Sequence, residues 1–243
     1  INKKCVIMRK LVLMLVIASV SLSVSAQGFG PKKKQKENTF SMGIKVGGNL
    51  STMSQPDECD LYDGAGFGYS GGVVLNARFG RASKNAQAGT GLLGVGVECD
   101  YKLHSMKTIG TDEKGKENAN LEIGYFEVPV ALQLYPLYKN SKLNNLYVEA
   151  GAAFAGTMSR KPESLTVVDR AANANVTYNL DTENSKLKGM DVRPFAGVGI
   201  GSKSGFGLNL RYYMGTSKLA ENFNSKISNV ELSVAYKFCL GEF

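Results

Sequence analysis

From residue 40 onward, apolar and polar side chains alternate with period two through eight segments: 40–50, 67–79, 93–103, 122–134, 146–156, 192–202, 206–214 and 230–240. Each is near the roughly 9–11 residues that a tilted strand needs to cross a bilayer. In the fourth, Phe126, Val128, Val130, Leu132 and Leu134 share one face, while Tyr125, Glu127, Pro129, Ala131 and Gln133 share the other. The eighth sets Val230, Leu232, Val234, Tyr236 and Phe238 against Glu231, Ser233, Ala235 and Lys237. No long stretch has helical period. Pro129 and Pro194 fall inside two of these strands, where each removes a ladder hydrogen bond. A bulge or kink is expected at each.

Alternation alone fits two architectures. A soluble barrel turns its apolar face inward and a membrane barrel turns it outward. The polar face favours the second. It is rich in glycine (Gly43, Gly47, Gly72, Gly94, Gly96, Gly151, Gly197, Gly199), which weakens a strand with no gain on a wetted surface but makes room for large side chains inside a narrow barrel. Its charges nearly balance: Lys45, Arg78, Lys102, Arg193, Arg211 and Lys237 against Glu98, Asp100, Glu127, Glu149 and Glu231. A buried lumen network needs such pairing, because isolated buried charge is very costly. On the apolar face the aromatics gather at strand ends. Phe40, Phe79, Phe206, Tyr236 and Phe238 would form one girdle, and Phe67, Tyr69, Tyr101, Phe126, Phe154 and Tyr212 the other. The fold expected is all-β, an eight-stranded antiparallel transmembrane β-barrel of the outer-membrane type. At eight strands side chains fill the lumen, which argues against a general porin.

The first residues read differently. Lys3, Lys4, Arg9 and Lys10 precede an uncharged apolar run, Leu11 to Val24, and Val24-Ser25-Ala26 offers small residues for cleavage between Ala26 and Gln27. These are the parts of a secretory signal peptide, and the run is too short for a comfortable transmembrane helix. Met8-Arg9-Lys10 reads as a more ordinary start than Ile1, which would leave Cys5 outside the product. The expected organisation is 1–26 signal peptide, 27–39 basic periplasmic linker and 40–243 barrel. Removing the four basic residues of the signal lowers the formal charge of the 243-residue chain from +8 to +4. That is no case for nucleic-acid binding. With the N-terminus in the periplasm, the outward loops are 51–66, 104–121, 157–191 and 215–229, mostly longer than the inward turns 80–92, 135–145 and 203–205. Ser164 to Val168 would extend the strands beyond the membrane.

Candidate chemistry is sparse. His104 is the only histidine and Ser105 follows it, but adjacent strand residues point to opposite faces, so neither serves the other. His104 reads as a polar rim residue beyond the third strand. Asp57, Glu58, Asp60 and Asp63 form an acidic cluster that matches no calcium-loop spacing. Cys59 lies among them, Cys99 would face lipid and Cys239 would face inward, so no disulfide is expected. Lys114-Gly115-Lys116 has no phosphate-loop spacing. No cofactor, metal site or catalytic residue is expected.

Tyr125-Phe126-Glu127-Val128-Pro129-Val130-Ala131-Leu132 resembles the Tyr-x-Glu-x-Pro strand of the PorT-like outer-membrane β-barrel proteins of Bacteroidetes-type bacteria. Leu146 to Gly151 resembles the strand that follows it, Phe40 to Asn49 the first strand and Tyr236-Lys237-Phe238 the last, so the likeness spans roughly 38–243. It implies an outer-membrane protein, sometimes linked to secretion machinery, with no defined catalytic residues. Its implied partners are outer-membrane lipid, the barrel assembly machinery, for which Phe238 or Phe243 would be the terminal signal, and an unidentified extracellular or secretion-system protein. The leading function is a non-enzymatic surface or envelope protein. The alternatives are a membrane-embedded lipid-modifying enzyme, similar to lipid A deacylases, and a secreted soluble ligand-binding barrel.

Overall fold

The computed structural model describes residues 37–54, 62–81, 87–109, 111–112, 115, 120–140, 142–162, 164–169, 174–179, 191–216 and 226–243. These form eleven strands: β1 Thr39–Met53, β2 Tyr62–Phe79, β3 Leu93–Thr108, β4 Thr111–Asp112, β5 Asn120–Leu134, β6 Leu146–Lys161, β7 Ser164–Asp169, β8 Ala174–Asn179, β9 Asp191–Gly201, β10 Phe206–Tyr213 and β11 Ile227–Glu242. Eight of them, β1, β2, β3, β5, β6, β9, β10 and β11, pair antiparallel with their neighbours in that order. The last returns to the first, so the sheet closes. Closure removes every unpaired edge, which is the condition for strands to cross hydrocarbon. The β1–β11 seam runs from Met53↔Ile227 to Thr39↔Glu242, and Phe243 and Asn38 exchange backbone hydrogen bonds beyond it at 3.1 and 3.0 Å.

The pleat sets the two faces. Leu132 is 72% exposed and the adjacent Gln133 is 4% exposed. The same contrast holds between Ile44 or Val46 and buried Lys45. The apolar stripe therefore lies on the outside and the ionised groups lie within. Inward glycines give the larger side chains their room. A Cβ on Gly72 would stand 2.2 Å from Asp100 Oδ1, and one on Gly199 would stand 2.3 Å from the Tyr147 ring.

Three expectations are corrected. Neither proline carries a bulge. Pro194 pairs with Ala152, and the β6–β9 register is continuous through it. Pro129 stays in register with Ala153 on β6, while its pairing to β3 lapses between Val97↔Val130 and Asp100↔Glu127 and resumes unshifted. The missing amide costs a local break and not a shift. The irregularities fall elsewhere, at Phe40/Ser41, between Tyr62 and Ser70, and at Gly124/Tyr125. Second, β2, β3, β5 and β6 continue several residues beyond the expected spans, so part of the 51–66, 104–121 and 157–191 loops is strand. These strands are longer than β9 and β10, which have 11 and 8 residues. Third, Ser164 to Val168 does not prolong a barrel strand. It belongs to β7, the centre of a separate three-stranded sheet ordered β4-β7-β8.

Candidate functional site

Alternation aims a row of ionisable side chains from seven strands into one lumen. They form a single chain of alternating sign. Arg193 on β9 donates to Glu127 on β5. Glu127 lies 2.9 Å from Lys102 Nζ, and Lys102 lies 2.6 Å from Glu231 on β11. Glu231 is 3.1 Å from Lys45 on β1, which also reaches Asp100 at 2.6 Å and Glu98 at 2.5 Å. Arg211 on β10 grips Glu98 through both terminal nitrogens at 2.7 Å and donates from Nε to Glu149 at 2.5 Å. Asn209 and Gln133 donate to Glu149 as well, at 2.8 and 3.1 Å. Rings cover the remaining faces: Lys102 Nζ sits 3.6 Å from the Tyr213 ring centre, and the Arg193 and Arg211 guanidinium carbons lie 4.5 and 4.9 Å from those of Tyr125 and Phe195. Because each ion meets opposite charge, the cost of taking it from water is offset.

The ends of the lumen differ. Toward the long loops, Met53, Met106, Leu121, Ile123 and Ile227 point inward and are buried, which closes that end with an apolar layer. Toward the short turns, the lumen opens into a cavity of about 400 Å³. Arg78 borders it, stacked 3.7 Å from the Tyr135 ring centre. Burial pushes the Tyr135 phenol, in the turn outside the strands, up to about 12, against the pull of Arg78. It stays a neutral donor to Gln133 at 2.9 Å.

His104 is a correction. It is fully buried in the lumen, because β3 runs on to Thr108 and the parity of Glu98, Asp100 and Lys102 carries through residue 104. Its hydrogen bonds fix the tautomer. Arg193 donates to Nε2 at 3.0 Å, so Nδ1 carries the proton and donates to Ser51 Oγ at 2.7 Å. Ser51 in turn donates to Asn49 at 2.8 Å. Ser51 had no part in the sequence reading, although its odd parity on β1 matches that of Lys45. Ser105 is also buried but lies on the opposite parity.

The other candidates are placed as follows. Lys237 is half-buried beside the inner cavity. Of the aromatics, Phe40 and Phe126 are half-buried, and Phe67, Tyr69, Phe79, Tyr101, Phe154, Phe206, Tyr212, Tyr236 and Phe238 are exposed on the outer face. Cys99 is half-buried and Cys239 is exposed at the inner end, and both are free thiols. Asp57, Glu58, Cys59, Asp60, Ala26, Gln27, Lys114 and Lys116 lie outside the described residues. Among the described residues no group of three His, Cys, Asp or Glu could hold a metal ion.

Comparison with known proteins fixes the class. The sequence model of the family described as "Outer membrane protein beta-barrel domain" matches residues 25–221. The chain belongs to this family. It is a protein of the bacterial outer membrane. Solved structures similar to this outer-membrane barrel include OprG from Pseudomonas aeruginosa, with 11% identity over 86% of this chain and 99% of that one and a TM-score of 0.44. Neisserial surface protein A is 12% identical, covers 84% and 100% of the two chains and has a TM-score of 0.41. The attachment invasion locus protein Ail of Yersinia pestis is 12% identical, covers 82% and 99% and has a TM-score of 0.37. No curated protein matches the chain.

Proposed function

We propose that this outer-membrane barrel is a non-enzymatic surface protein whose outer rim engages a protein partner of the envelope. The observation that carries the reading is the form of the outer end. The lumen is closed there by Met53, Met106, Leu121, Ile123 and Ile227, while β2 and β3 stay paired past Met106 out to Tyr62↔Thr108 and the β4-β7-β8 sheet is built from the loops. A filled lumen favours a platform over a channel. The resemblance of Tyr125 to Leu132 to the PorT-like strand favours envelope assembly or secretion as the setting.

The arrangement at Ser51 supports the non-enzymatic reading. Its hydroxyl hydrogen is committed to Asn49 and its oxygen accepts from His104, so no base stands ready to take its proton. The outer-facing loops then supply specificity, as loops on rigid scaffolds commonly do.

The test replaces residues 162–179 with a short Gly-Ser connector and cross-links intact cells that carry either form. The expected result is a partner adduct present with the native chain and absent with the replaced one, while both migrate faster before boiling than after. Identical adducts, or a lipid A acyl pattern that changes on Ser51→Ala, would overturn the reading.

A further inference from the structure

The inner end of the lumen has the opposite electrostatic character to its centre. In the centre, Lys45, Lys102, Arg193 and Arg211 face Glu98, Asp100, Glu127, Glu149 and Glu231. Around the inner cavity of about 400 Å³, three cations line the wall, Arg78, Lys203 and Lys237, and no Asp or Glu does among the described residues. Among the described residues, Arg78 donates only to neutral oxygens: Gly91 O at 2.9 Å, Asn145 Oδ1 at 2.8 Å and Asn144 O at 2.7 Å. Its charge is held in place by the two long inner turns and is not neutralised. Lys237 makes no ion pair among the described residues, and its Nζ lies 5.9 Å from the Tyr147 ring centre. The deep carboxylates Glu98 and Glu149 are already engaged, the first by Lys45 and Arg211 and the second by Arg211, Asn209 and Gln133. Partly buried positive charge without a counter-charge is unfavourable, and an anion from outside the chain relieves it.

The shape of the opening narrows the anion. Gly89, Tyr135 and Asn145, from the connections after β2 and β5, border one side, whereas β9 and β10 are joined by only 202–205. On that low side Phe206, Tyr236 and Phe238 both border the cavity and stand exposed on the lipid-facing surface. Polar interior and apolar outer face therefore meet across a short lip that carries Lys203. The volume is within the range of small-ligand sites, roughly 300–1,000 Å³.

We propose that this inner mouth is a binding site for a phosphate-bearing anion. Lys237 and Lys203 provide the ion pairs, Arg78 provides a fixed positive field, and the Ser202 and Ser204 hydroxyls, 2.7 Å apart, provide donors beside them. The phosphate can belong to a lipid headgroup of the periplasmic leaflet, with its acyl chains over the low lip, or to a soluble periplasmic phosphate.

The test uses the whole barrel refolded in phosphatidylcholine nanodiscs, as the native chain, as K203E and as K203E/K237E. One arm adds phosphatidylglycerol and counts the lipid retained on the released protein by native mass spectrometry. The other titrates inorganic phosphate and follows its phosphorus NMR line width. The native chain should bind in at least one arm, and K203E/K237E should bind about tenfold more weakly, a difference of about 1.4 kcal/mol. Binding only in the first arm assigns the site to a headgroup, and binding only in the second assigns it to soluble phosphate. Binding by the native chain in neither arm, or equal binding by all three proteins, overturns the proposal. If the double variant fails to show the heat-dependent shift of a folded barrel, K203E decides alone, because its substitution lies in an exposed turn.

Discussion

The two halves of the lumen use the same residue types for different ends. In the outer half, Lys102 and Arg193 are fully buried, meet Glu127 and Glu231 directly, and lie on the lumen side of an apolar closure. In the inner half, among the described residues, Arg78 donates only to carbonyl and amide oxygens and stacks on Tyr135, and Lys237 has no ion-pair partner. Mutual neutralisation makes a structural cross-brace of the first set. Its absence leaves the second set with charge to offer a ligand. Basic residues in one barrel are thus not equivalent, and what separates them is whether a carboxylate lies within reach.

This contrast makes graded predictions. The largest effect is expected for Glu127→Ala, which leaves buried Arg193 with only Asp191 at 3.5 Å and Lys102 with only Glu231, without water to replace the lost carboxylate. Unfolding from vesicles in urea should show a loss of about 3–5 kcal/mol. A loss below about 1 kcal/mol would mean that the outer half is wetter than its closure implies. A middle effect is expected for Ser51→Ala. It removes one hydrogen bond from His104 and one to Asn49, so the same measurement should show a loss of about 1–3 kcal/mol. The lipid A acyl pattern in mass spectra should stay the same. The smallest effect is expected for Lys237→Met, which deletes a cation that braces nothing. Its stability should stay within about 0.5 kcal/mol of the native chain. A cost comparable to that of Glu127→Ala would erase the distinction between the halves.

Much of the fold was legible because it is local. Strand period is two wherever one face is greasy and the other is not, so Leu132 and Gln133 declare opposite sides without reference to any neighbour. The ends of the strands were less legible. The outer continuation of β3 is polar, His104-Ser105-Met106-Lys107, and was read as loop, although pairing to β5 holds it as strand out to Lys107↔Asn120. That one misplacement put His104 on a rim when it lies among Ser51, Arg193 and Glu127. The prolines erred in the other direction. Of the bulge or kink that a lost amide led one to expect, the bulge is absent, because flanking pairs on the second neighbour hold the register.

By itself the sequence determined which residues share a face, that the chain should close into eight strands, and that the polar face carries nearly equal numbers of both charges. These follow from the pleat and from the cost of burying unpaired ions. Only the tertiary structure decided which charge meets which. Partners such as Arg211 and Glu98 are 113 positions apart and meet across the lumen only after closure and register are set. The same long-range geometry closed the outer end, left the inner end open, and made Lys237 a cation with a cavity before it and no ion-paired carboxylate among the described residues.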